Sequence, residues 1–541
     1  MLVKTLKIRH LLLVLMIVAT PAFGQDPGVN SQIDLLKRQM QQMQQQLDLL
    51  QQQARRSEEK ANQAAQSAAR VEARARPANE PRVTESRTHR FGLSSADGAN
   101  TIELTGRLHV DTADYYNYNP KAGMADRHLA SGINVRRARI GVTGKFQNDW
   151  QYTLIYDLGG NSDSLNLNNA LANGNSKTNT ATSNSAFSGV ENALITYNGF
   201  YNGHHLFPVA VDFGVMDVPW TLQEATSSND IVFMERSSAQ VVATAFGGGD
   251  FRTAFGARSN NDNYFLAAYI TGPTTGALHT DGASCIGSAT APCTLAPNGH
   301  GPQTSFLARG SYTFFLPGDI GLHIGANFGD LFRPRGSANA QTISLADRPE
   351  LRVDPSQLIT TGNIPSSGGM VYGVEAAATW GNAFLEGEYY HYTIDQFAAG
   401  SKTLGFDGGY VEASYTLGGR RRYAPASGGY TGVYPDRPLS LAPGGGWGAL
   451  EIAARFSTVN LNDGTNGAAC STTATAVAPA VNFCAGSQTV YSVGLNYYPN
   501  YNMKFMLEYE HGIINIPSVI GGPNTKGATL DAIAARTQIM F

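Results

Sequence analysis

The sequence predicts an all-β transmembrane barrel of sixteen antiparallel strands with an N-terminal coiled-coil helix. Three observations carry this. From Thr101 to Phe541 the chain falls into sixteen strand-length segments with apolar residues at alternate positions, an even count with no helical span among them. Short turns alternate with long loops between these segments, the arrangement of bacterial membrane barrels. Before Thr101 the apolar spacing is instead three and four, the seam of a coiled coil.

At 541 residues the chain exceeds one ordinary domain, yet large barrels escape that arithmetic. Only 15% of residues are charged and glycine is abundant at 59, so no solvated, highly charged class is indicated. After the N-terminus no apolar run is long enough for a spanning helix, whereas alternation dilutes the apolar residues of a barrel. A net charge of −3 suggests no nucleic-acid partner.

Residues 1–24 place Lys4, Lys7 and Arg9 before Leu11 to Ala19 and end on Ala22-Phe-Gly24, which reads as a cleavable secretion signal. Residues 25–76 carry Ile33, Leu36, Met40, Met43, Leu47 and Leu50 and continue at Ala54, Ala61, Ala64 and Ala68, a heptad read as a periplasmic coiled coil. Such a helix needs partner chains, which implies a homo-oligomer. Residues 77–100, opening on Pro77 and Pro81, read as a linker, and residues 101–541 as the barrel.

The expected strands are 101–115, 133–146, 150–160, 190–199, 207–216, 250–259, 263–271, 304–315, 319–330, 370–379, 383–393, 407–417, 447–459, 489–498, 502–511 and 531–541. The last ends on Phe541, an aromatic terminus suited to barrel insertion. One connection, Gly418 to Gly446, is long although it falls on the short-turn, periplasmic side, and reads as an excursion there. Its Arg420-Arg-Arg422 either dips into the barrel or forms a solvated rim cluster.

Asp217 to Gly249 is too long for a hairpin turn and too apolar for a solvated loop, so it is expected to fold inward and narrow the barrel. Trp220, Asn229, Asp230 and Glu235 are its candidate constriction residues. Strand parity then sorts the charges. With Ile102, Leu104, Leu108 and Val110 toward lipid, Glu103, Arg107, His109 and Asp111 face the lumen. Arg137, Arg139, Arg252, Arg258 and Arg309 face it too, whereas Arg136 has the wrong parity and belongs at a rim or bulge. In later strands Glu375, Glu386, Glu388, Glu412, Glu451, Glu508 and Glu510 turn inward, with Arg455, Lys504 and Arg536 as basic exceptions. The wall of the first half is therefore basic and that of the second acidic, a polar pore with a field across it. Arginines at a narrowing replace part of an anion's hydration, which suits phosphate-like oxyanions.

Cys285 with Cys293 and Cys470 with Cys484 lie close in sequence inside Ser/Thr/Ala-rich loops, and local disulfides are the simplest of three connectivities for an exported protein. No histidine stands at metal-ligand spacing beside them. No phosphate-cradling glycine loop or nucleophile elbow appears, and His204-His205 on a periplasmic turn is only a scattered candidate, so neither enzyme nor cofactor is indicated.

Several motifs together resemble the phosphate-selective porin O and P family: Arg136-Arg-Ala-Arg139 with Gly141 and Asp149-Trp150, Glu224-Ala-Thr-Ser-Ser228 with Met234-Glu-Arg236, Gly446-Trp-Gly-Ala-Leu-Glu451, and the closing strand. The resemblance covers roughly Leu104 to Phe541. It implies a sixteen-stranded trimeric porin in the outer membrane, its third extracellular loop folded inward and arginines forming an anion path. Arg136 and Arg137 match the family's paired arginines, and Glu235 and Arg236 the Glu-Arg of the inward loop. After Thr226-Ser-Ser228 this chain has Asn229 and Asp230 where phosphate-specific members have a lysine, which removes one ground for strict phosphate selectivity. The expected function is passive diffusion of small anions, phosphate or polyphosphate, through a homotrimer in outer-membrane lipid. The alternatives are a general or sugar-type porin, for which Tyr115, Tyr116, Tyr389, Tyr390, Tyr497 and Tyr498 would supply an aromatic track, and an envelope tether acting through the coiled coil.

Overall fold

The computed structural model describes residues 80–85, 90–120, 129–159, 189–200, 208–274, 283–286, 294–297, 303–335, 341–354, 356–398, 400–464, 471, 474, 479–518 and 522–541. The expected signal and coiled coil lie outside these residues, as do Cys293, Cys470 and His204-His205. The chain divides at Glu80, and everything below concerns the unit from Pro81 to Phe541.

Sixteen long strands form one sheet: β1 Thr101–Pro120, β2 Gly132–Phe146, β3 Trp150–Asp157, β4 Val190–Tyr197, β5 Val209–Asp217, β6 Phe251–Asn260, β7 Tyr264–Thr274, β8 Thr304–Leu316, β9 Ile320–Arg333, β10 Ile364–Trp380, β11 Ala383–Gln396, β12 Thr403–Leu417, β13 Ala449–Asp463, β14 Phe483–Asn500, β15 Met503–Ser518 and β16 Gly522–Met540. Each pairs antiparallel with the next, and β16 pairs antiparallel with β1, so the sheet closes on itself and the barrel has no free edge. Every expected strand is present. The outer wall is apolar, with Ile140, Phe213, Phe255, Ile324, Val374 and Ile452 all exposed, which only a hydrocarbon surrounding tolerates. At the short-turn end Phe146 stacks on Trp150, which meets Tyr197 at a tilt, the amphipathic belt of a membrane interface.

The closure is sealed by the last residue. Phe541 N–H donates to Gly106 O at 3.0 Å and Gly106 N–H to Phe541 O at 2.9 Å. The Phe541 ring lies so close to Gly106 that a Cβ there would stand 2.4 Å from it, so only glycine admits this contact. The expected linker, 77–100, also carries structure: Arg82–Glu85 pairs with Phe91–Ser94, which pairs with Thr101 to Glu103 of β1.

Among the described residues, three inserts occupy the lumen. The first, residues 218–250, joins β5 to β6 and holds two short helices, α1 Leu222–Ala225 and α2 Ser238–Thr244. Thr221-x-x-Glu224 and Ser237-x-x-Gln240 have the spacing of capping boxes, and both N-cap hydroxyls accept the backbone N–H three residues on. Gly248 and Gly249, at φ 99° and 102°, turn the chain out toward β6. The second insert, between β9 and β10, is a hairpin-like strap in which Ala346–Asp347 pairs with Ile359–Thr360 and Leu345, Leu351 and Ile359 are buried. The sequence signal for it is confined to its spaced Ile and Leu residues. The third is the excursion between β12 and β13, in which Tyr423–Ala424 pairs with Gly429–Tyr430. Gly428 at its tip has φ 67° and lies against Phe265, a position closed to other residues.

Candidate functional site

A buried loop has backbone groups that water cannot reach, so something in the barrel must satisfy them. For residues 218–250 the later strands do this. Glu388 on β11 accepts the N–H groups of Leu222 and Gln223 at 2.8 and 3.0 Å, a carboxylate at the start of α1. Glu508 on β15 accepts Met234 N–H at 2.9 Å. In the other direction Tyr392, Arg455, Asn496, Lys504 and Gln538 donate to the carbonyls of Ala239, Glu235, Val232, Ile231 and Asn229 at 2.7 to 2.9 Å. The inward acids and bases of the second half therefore hold the loop against β11 and β13 to β16. Val218, Trp220, Val242 and Phe246 add an apolar seam to Leu307, Leu331 and Val371 of β8 to β10.

The latch at the loop's centre is Glu235. Arg136 reaches it at 2.9 and 3.1 Å, Arg536 at 2.7 Å and Arg137 at 3.6 Å. Burial alone would raise this carboxyl, but the surrounding guanidiniums of Arg136, Arg137, Arg536 and Arg352 hold it well below the usual carboxylate range. A bulge makes the arrangement possible. His109 pairs with Arg137 and Val110 with Val135, which leaves Arg136 as the extra residue and swings all of Arg136, Arg137 and Arg139 inward.

The open space lies on the other side of the loop, as a cavity of about 400 Å³. Its lining comes from β1, β2, β4, β5, β6 and β7, from the loop and from the tip of the excursion, and no described residue of β8 to β16 takes part. Five guanidiniums border it, those of Arg107, Arg137, Arg139, Arg236 and Arg258. Arg139 is braced from behind by Asp157 at 2.9 Å and by Glu191, Arg258 by Asp212 at 2.9 Å, and Arg236 by Asp217 at 3.2 Å and Asp250 at 3.7 Å. Arg107 differs: its Nη1 donates to Ser228 Oγ at 2.7 Å, and it pairs with no carboxylate among the described residues. A second cavity of about 140 Å³, lined by Tyr501, Met540 and Phe541 near the short-turn end, shares Arg107, Ser227 and Asp230 with the first.

Three members of the expected anion path do not border these cavities. Arg136 is the latch to Glu235; Arg252 is buried against Glu224; Arg309 binds Glu375 at 2.8 Å and the carbonyls of Ser427 and Gly428 at the tip of the excursion. Parity showed that they point inward but not that inserts would consume them. Trp220 and Glu235 likewise face the barrel wall, whereas Asn229 and Asp230 do border open space. Asp212, absent from the expected path, is also placed inward by the same parity rule and is buried against Arg258 and Tyr269. In the excursion Arg421 is buried on Glu451 at 2.7 and 2.8 Å, Arg420 pairs with Asp319 at the rim and Arg422 is exposed. The segment dips into the barrel, but its arginines do not extend the basic path. Each tyrosine pair at 389–390 and 497–498 splits across the wall, and none of the six tyrosines expected as a track borders the larger cavity. Cys484 is disulfide-bonded.

A closed sixteen-stranded antiparallel barrel with an apolar exterior and a charged, loop-narrowed interior defines the class of outer-membrane porins. A family model described as phosphate-selective porin O and P matches residues 102–540, and the chain belongs to that family. It is similar to porin O of Pseudomonas aeruginosa, 24% identical over 392 residues that cover 69% of this chain and 75% of that one. It is also similar to an uncharacterised protein of Caulobacter vibrioides, 24% identical over 396 residues, 72% of this chain and 66%, just under two thirds, of the relative. Among solved structures, OmpT of Vibrio cholerae aligns with a TM-score of 0.42 at 11% identity, over 82% of this chain and 100% of its own. An anion-selective porin from Comamonas acidovorans aligns with a TM-score of 0.41 at 12% identity, over 82% and 100%.

Proposed function

We propose that the protein is a passive channel for small anions, with phosphate or polyphosphate as the expected solutes, working as a homotrimer in outer-membrane lipid. The observation that carries the anion preference is Arg107. It borders both cavities, and among the described residues no carboxylate in contact neutralises its charge. Around it Arg137, Arg139, Arg236 and Arg258 form a series of moderate sites, most of them shared with a carboxylate. Such a series supports passage, because an ion exchanges between weak sites faster than it leaves one strong site.

The test is single-channel recording in asymmetric KCl with phosphate titrated in. The expected result is an anion-directed reversal potential and a chloride current reduced by phosphate. A cation-directed potential with no effect of phosphate would overturn the reading. The trimer is checked by the native mass of the detergent-solubilised protein.

A further inference from the structure

The lining shared by the two cavities is not purely basic. Asp230 borders both of them, as Arg107 does, and carries the opposite charge. The pair is not in contact: Arg107 is turned to Ser228, and the Asp230 carboxylate, its Oδ1 buried, lies against Gly432, whose backbone N–H supports it. The turn that presents this carboxylate is fixed on several sides. Asp230 N–H donates to Ser227 O at 2.7 Å, Asn229 Oδ1 meets His109 Nε2 at 2.9 Å, and Gln538 and Arg421 bind the carbonyls of Asn229 and Asp230. Gly432 faces Asp230 so closely that a Cβ there would lie 2.5 Å from Oδ1, so the excursion gives the carboxylate its room by having no side chain.

An anion filter has no use for a preorganised carboxylate beside its least neutralised guanidinium, because a like charge lowers the affinity for every simple anion. The same arrangement suits a solute that carries both signs. We propose that the lining shared by the two cavities selects small zwitterionic anions, compounds with an ammonium group a few bonds from a phosphate or carboxylate: the anionic head approaches Arg107 and Ser228 while the ammonium approaches the side of the Asp230 carboxylate that borders the cavities. The proposal rests on the anion reading given above and names its solute class. Asp230 is then a specificity-determining residue, acting through a charge-assisted hydrogen bond to the passing ammonium.

Two probes that share one head separate the ideas: 2-aminoethyl phosphate, with the ammonium, and ethyl phosphate, without it. Each is titrated against the chloride current of the full-length channel. The wild type should be blocked more strongly by the aminoethyl compound. Asp230→Asn, which keeps the shape, should weaken that block about 5-fold, the scale of one partly exposed charge pair, while leaving or strengthening block by ethyl phosphate. Asp230→Ser should repeat the result if the amide disturbs the turn, and Asp230→Glu should retain part of the preference. Equal block of the wild type by both probes, or an equal effect of the Asp230 variants on both, overturns the proposal. Arg107→Gln should weaken block by both compounds; if it changes neither, the anion reading itself has failed, whatever the Asp230 variants show.

Discussion

The two halves of the lumen use charge in opposite ways. Along β8 to β16, Glu388, Arg455, Lys504, Glu508 and Arg536 are buried and committed to the backbone or side chains of the inserts. Along β1 to β7, Arg107, Arg137, Arg139 and Arg258 border open space. The same parity rule places both sets inward, so inward direction alone does not make a pore residue. What separates them is whether an insert lies on top. A buried charge with fixed partners is structure, and one left facing a cavity is available to a solute.

The contrast can be broken most forcefully at Glu235. Glu235→Gln leaves Arg136, Arg137 and Arg536 crowded without their common counter-charge, and loss of one member of a buried ionic group costs about 3–5 kcal/mol. The expected outcome is a lower unfolding temperature, faster proteolysis within 218–250 and a larger single-channel conductance as the loop leaves the wall. At Gly106 the barrel seam is tested instead: Gly106→Ala forces the Phe541 ring aside and should cost about 1–3 kcal/mol, read as a lower melting temperature.

Arg107→Gln sharpens the other side of the comparison. Arg107 anchors no carboxylate among the described residues, so the melting temperature should stay nearly constant while the anion-to-cation permeability ratio from reversal potentials falls about 5-fold. A pH effect belongs to the same half. Burial raises the Asp230 carboxyl, and Arg421, Lys504 and Arg107 only partly oppose it. Asp230 therefore takes up its proton at a higher pH than an ordinary aspartate. As pH falls from neutral, it loses its charge early and the preference for chloride over potassium should rise. The Asp230→Asn variant is the control: it should flatten the early part of the curve. The smallest effect is expected at Arg420→Ala. The exposed pair with Asp319 at the rim should contribute at most about 1 kcal/mol, with conductance unchanged.

All sixteen strands were legible because lipid imposes alternation on every segment that crosses it. Their ends were less so, and the errors share a side. β10 begins at Ile364 rather than 370, β14 at Phe483 rather than 489, β16 at Gly522 rather than 531, and β1 runs to Pro120 rather than 115. All these ends lie toward the long loops. There the strands continue beyond the bilayer, the outward face meets water, and the apolar signal stops while the hydrogen-bonded ladder goes on. The site was legible in direction only. Parity found Arg107, Arg137, Arg139 and Arg258, and it would have found Asp212. It had no means of pairing Arg252 with Glu224 or Arg309 with the tip of the excursion, since those partners come from inserts whose path no periodicity records.

The anchoring of the constriction also sets an order of assembly. Arg536 meets Glu235 across 301 residues of chain, and Gln538 meets Asn229 across 309. Both belong to the final strand, whose last residue seals against Gly106. The narrowing of the pore is thus written by the end of the chain upon its middle. Contacts of such separation form slowly, because the intervening chain must be brought together first. The barrel's passage acquires its final width only once β16 is in place, so closure of the wall and maturation of the channel are one event.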